Sequence, residues 1–144
     1  MRKLLSFLVF ACGLIWTARA EVRSITSEDF RREVFDYQND TTWRFRGSKP
    51  CIVDFYTTWC GPCRRLAPIM DSLSTVYKGK VVFYKVDTDQ QRDVARFFGI
   101  NSIPQVLYVP AKGKPALYKG SAPADNIVQV IDEFLLGKKP KKTR

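Results

Sequence analysis

Cys60 and Cys63, in the run Trp59-Cys60-Gly61-Pro62-Cys63, are the residues whose type and spacing could do chemistry. Two thiols this close can pass between dithiol and disulfide, by attack of a thiolate on a disulfide sulfur. The run follows a strand-like stretch and opens a helix-like one, so Cys60 falls at a helix N-terminus. Unpaired amides and the positive end of the helix dipole favour an anion there, which lowers the thiol pKa and activates it. Cys60 is the candidate nucleophile, forming a mixed disulfide with its substrate. Cys63, one turn on and expected to be more buried, then attacks Cys60 and releases the reduced substrate. Gly61 leaves room for a substrate chain. Pro62 stiffens the turn at an early helical position, where a missing donor costs little.

Two other readings use the same spacing. Half of a zinc site is one, but zinc usually takes four ligands, and the chain has no histidine and no second C-x-x-C. A structural disulfide is the other, although so short a loop constrains the unfolded chain weakly. No metal is expected, and no cofactor beyond the Cys60–Cys63 disulfide itself.

Asp54 lies six residues before Cys60, in the strand-like run Cys51 to Thr57. Burial makes a carboxylate costly to ionise and raises its pKa. Placed beneath the dithiol, Asp54 could take the proton of Cys63 as that thiol attacks; the alternative is an aspartate at a strand end reaching solvent. Lys85, on a second strand-like run, could pair with Asp54 or extend to the surface. Ile103-Pro104 precedes a third strand, where an X-Pro bond can be cis.

The elements that must position these groups follow from hydrophobic spacing. Val22 to Ile25 reads as a short strand and Ser27 to about Phe35 as an amphipathic helix. Gln38 to Thr42 and Gly47 to Pro50 break the pattern, and between them Trp43 and Phe45 could pack on the domain surface. After Cys63, Leu66, Ile69, Met70, Leu73 and Tyr77 recur at helical steps, with Pro68 expected to kink the helix. Val81 to Val86 is a strand, and Gln90 to Phe98 a short helix closed by Gly99. Gln105 to Val109 and Ala116 to Lys119 form two strands joined by a turn. Ala124 to Leu136 is a last amphipathic helix, with Ile127, Val130, Ile131 and Phe134 on one face and Gly137 as its stop. Strands and helices mixed in this way predict an α/β fold, a central sheet covered on both faces.

The formal charge of +10 suggests nucleic acid until it is located. Of 24 basic side chains, Arg2, Lys3 and Arg19 lie in the first twenty residues and five in the tail from Lys138 to Arg144. That leaves 16, against 14 acidic ones, in residues 21 to 137. Nucleic acid is not an expected partner. Residues 1 to 20 resemble a secretory signal: a basic start, an apolar run from Leu4 to Trp16, and Ala18-Arg19-Ala20 as a cleavage site. The alternatives are an uncleaved anchor, for which the run is short, or a lipid on Cys12. Residues 21 to 137 then form one domain and 138 to 144 a basic, mobile tail. The resulting location is exported, periplasmic, or held at the outer face of a membrane. Cys51 is read as a small buried hydrophobe.

Ile52-Val53-Asp54-Phe55, Trp59-Cys60-Gly61-Pro62-Cys63, Ala67-Pro68 and Ile103-Pro104 resemble the thioredoxin family in order and spacing, with Lys85 and Gly120 where thioredoxins keep a lysine and a glycine. The resemblance covers most of residues 22 to 136. It implies a four- or five-stranded mixed sheet flanked by helices, and a cis Ile103-Pro104 bond facing the dithiol. It also implies a shallow substrate groove lined by Trp59, Ile103, Pro104 and Gly120, and a role for Asp54 in assisting Cys63. Gly-Pro between the cysteines implies a reductant of disulfide-bonded proteins. Outside the cytosol that activity requires a membrane protein as electron donor. An oxidant or isomerase, and a binding module without turnover, are the competing functions; a monomer is expected. Tyr56, where many thioredoxins have tryptophan, Thr57-Thr58, and Ser102 and Gln105 around Ile103-Pro104 depart from the family pattern.

Overall fold

Cys51–Tyr56 (β2) is the centre of the computed structural model, which describes residues 21–140. Its β-branched and aromatic run lets both faces be buried, and every residue from Cys51 to Phe55 is. Val82–Asp87 (β3) pairs parallel to it, and Gln105–Val109 (β4) antiparallel. Arg23–Ser24 (β1) extends the sheet beyond β3, and Ala116–Lys119 (β5) beyond β4. The order is β1-β3-β2-β4-β5, a mixed five-stranded sheet.

Side chains alternate across β2, and the two faces make two cores. Cys51, Val53 and Phe55 pack with Phe30 of Ser27–Glu33 (α1) and Val94 of Arg92–Phe97 (α3). Ile52 packs on the other face with Leu66, Met70 and Leu73 of Gly61–Val76 (α2), and with Ile127 of Ala124–Val130 (α4). Trp43 and Phe45 are partly buried against the first core. Asp54 and Lys85 lie on the α2 face.

Local signals account for the element ends. Thr26 and Asp29 form a reciprocal capping box at the start of α1. Gly99 takes φ 63° and closes α3. α2 is a continuous helix through Pro68.

The last helix departs from expectation. α4 stops at Val130 and continues as a π-helical turn, Ile131–Leu135, with the Leu136 amide donating to the Ile131 carbonyl at 2.9 Å. Ile127, Ile131 and Leu135 are buried, while Phe134, expected on that face, is 39% exposed. A π turn holds more than four residues, so it brings Leu135 under Ile131 and rotates Phe134 outward.

Candidate active site

The end of β2 and the start of α2 build the site. Cys60 is the N-cap of α2, in extended conformation, and Pro62 falls in the first turn. The Cys63 amide donates to Cys60 Sγ at 3.2 Å, as a free helix-start donor can. Cys60 and Cys63 are joined as a disulfide, with Cα atoms 5.3 Å apart. Burial does not separate them as expected: Cys60 is 4% exposed and Cys63 3%. A Cβ on Gly61 would meet only Arg65 Nη1, at 4.0 Å, so the missing side chain leaves open space outside the chain.

Asp54 is buried, and Oδ1 has no hydrogen-bond partner. Burial raises its pKa from 3.8 to about 7, against the opposing charge of Lys85. A strand-end aspartate in solvent is therefore not what the chain contains. Lys85 stands opposite Asp54 in the β2–β3 register, yet no ion pair joins the two among the described residues. Its ammonium instead lies 5.9 Å from the centre of the Tyr56 ring.

Ile103-Pro104 is cis. Pro104 is buried, Ile103 half-buried, and the Gly120 amide donates to the Pro104 carbonyl at 2.8 Å. Gly120 has φ 85°, a conformation that glycine adopts without strain. Gln105 is fully buried and its Nε2 donates to the Ser102 carbonyl, which ties down the turn before β4.

Trp59 is 66% exposed, the side chain before the dithiol open to solvent. Its indole Nε1 donates to Asp89 Oδ2 at 2.7 Å. Sequence reasoning does not reach Asp89. It sits 30 residues away in the turn after β3, and no spacing links it to Trp59. Asp87 accepts from the Asp89 amide and from Gln90, which fixes that turn. Cys51 is buried, free, and raised in pKa by desolvation, consistent with packing rather than reaction. The signal segment, Cys12 and the end of the basic tail lie outside the described residues.

Comparison with known proteins places this arrangement. The thioredoxin family model matches residues 21–133. Thioredoxin from Borreliella burgdorferi is 46% identical over 111 residues, covering 77% of this chain and 95% of that one. Thioredoxin 1 of a Nostoc species is 33% identical, over 77% of this chain and 94% of its own. Among solved structures, a chloroplastic thioredoxin z superposes with a TM-score of 0.66 at 25% identity, covering 77% of this chain and 91% of that one. Thioredoxin of Malassezia sympodialis gives 0.63 at 28%, over 78% and 90%. With the fold, the close cysteine pair and these relatives agreeing, the chain belongs to the thioredoxin family and is a thiol–disulfide oxidoreductase that acts on disulfide-bonded proteins.

Proposed function

We propose that this chain is an exported reductase of protein disulfides, and that Cys60, Cys63 and Asp54 carry the reaction. The observation that supports it most is the Cys60–Cys63 pair at the start of α2, on the sheet face that holds Asp54. In the reduced chain, Cys60 thiolate attacks one sulfur of a substrate disulfide, forms a mixed disulfide and expels a substrate thiolate. Asp54 takes the Cys63 proton, directly or through water. Cys63 thiolate then attacks Cys60 Sγ, closing the Cys60–Cys63 disulfide and expelling the second substrate thiolate. Two electrons pass to the substrate, and of the two leaving thiolates one takes the proton from Asp54 and the other a proton from solvent. A carboxyl that titrates near neutrality suits the proton transfer, because it can both accept and return the proton.

The substrate backbone would run beside Ile103 and Pro104, between Trp59 and Gly120, with Gly61 leaving it room. The signal-like first twenty residues support export, and export in turn requires a membrane protein that delivers electrons outward. The chain would act as a monomer, without nucleic acid.

Cys63→Ala tests the mechanism: it should leave substrate proteins joined to Cys60, and their absence after capture would defeat it. The potential of the couple tests direction. A value near the thioredoxin range of about −270 mV supports a reductase, and one near about −120 mV an oxidant. Export is tested by expressing the chain with its own first twenty residues. A mature product beginning at Glu21 outside the cytosol is expected; an intact cytosolic one would refute it.

A further inference from the structure

Tyr118 and Phe134 are large aromatic side chains left 49% and 39% exposed. They flank a cavity of about 460 Å³ between β5, α4 and α2, whose lining includes the buried side chains of Leu66, Val106 and Ile127. That volume is within the range of about 300–1,000 Å³ typical of sites that enclose a small ligand. Tyr108 meets Tyr118 edge to face, with ring centres 5.2 Å apart, and so fixes one wall. The π turn fixes the other, since it buries Leu135 and presents Phe134 at the rim. Turns of this kind recur at functional sites.

Gly120 connects the cavity to the cis-proline turn: it lines the cavity, and its amide holds the Pro104 carbonyl. A chain lying across Pro104 has the cavity beside it. Lys119 and Glu133 at the lining bring one charge of each sign, which selects for neither. Residues 141 to 144 are Lys-Lys-Thr-Arg and bring no apolar side chain to fill the space.

We infer that the cavity between Tyr118 and Phe134 is a specificity pocket that takes an apolar side chain of a disulfide-bonded protein substrate, near the cysteine under attack. It rests on the reading that substrate backbone passes Pro104. Small disulfides, which have no such side chain, react without it.

The test compares insulin with 2-hydroxyethyl disulfide, both reduced by the full chain with dithiothreitol as electron source. Ala122→Phe fills the cavity and Phe134→Ser removes its rim; because Phe134 is exposed, the second variant carries the test if the first fails to fold. Either change should lower kcat/KM for insulin about tenfold, the order expected for loss of one apolar contact. Turnover of the small disulfide should stay within twofold. Unchanged insulin turnover in a folded variant overturns the pocket, and so does an equal fall on both substrates. It also fails if the variants convert a dimer to a monomer while insulin is reduced at the original rate, since a second copy would then fill the space. An unmodified chain that reduces neither disulfide refutes the reductase reading itself, and the pocket with it.

Discussion

Asp54 and Lys85 face each other across β2 and β3 in exact register, on the side of the sheet that α2 covers, and make no ion pair. A buried carboxyl with one oxygen unsatisfied keeps its proton to a higher pH than a free one, and this has consequences for stability as well as for chemistry. Tyr108, two residues along β4 from the neighbour of Asp54, is raised in pKa chiefly by burial, with Tyr118 and then Asp54 adding to it.

The folded chain binds a proton at Asp54 that the unfolded chain loses at a lower pH. Stability therefore falls as pH rises from about 4 to about 7, and the whole penalty is present above that window. Asp54→Asn removes this dependence. Urea unfolding of the oxidised protein should show wild type losing roughly 2–4 kcal/mol more than the variant between pH 4 and pH 8. Parallel pH profiles would mean that Asp54 titrates normally.

Trp59 and Asp89 should be energetically coupled through the indole hydrogen bond. In a double-mutant cycle with Trp59→Phe and Asp89→Ala, a coupling of about 1 kcal/mol is expected in denaturant unfolding. Strict additivity would show that the contact adds nothing to the oxidised fold.

Cys51 should resist alkylation as long as the chain is folded, since it is 1% exposed and its thiol is held protonated by burial. Mass spectrometry after iodoacetamide treatment of the oxidised protein should find Cys51 unlabelled without denaturant and labelled in it. Rapid native labelling would make it a reactive thiol.

Phe30 and Phe97 belong to one aromatic group but not to one environment. Phe30 is fully buried and meets the rings of Tyr37, Phe55 and Phe98, whereas Phe97 is 50% exposed. Phe30→Ala should cost about 3–5 kcal/mol of unfolding free energy. Phe97→Ala should cost well under half of that. Equal costs would mean that burial is not what separates them.

Much of the molecule is written locally. The strand at Cys51, the helix opened by Cys60-Gly61-Pro62-Cys63, the cap at Thr26 and the stop at Gly99 all follow from short-range rules: alternation, free helix-start donors and glycine's access to positive φ. Asp54 shares that legibility, because a carboxylate inside an apolar strand is conspicuous in sequence. The tertiary structure alone decided the rest. Alternation cannot say which face of β2 meets α2, so it could not place Asp54 on the dithiol side or show Lys85 turned toward Tyr56. The bond from Trp59 to Asp89 joins loops that only strand pairing brings together. The π turn that exposes Phe134 arises where packing under Ile131 prevails over ideal helical spacing. Contacts between residues distant in the chain depend on the docking of whole elements, and no local pattern encodes that.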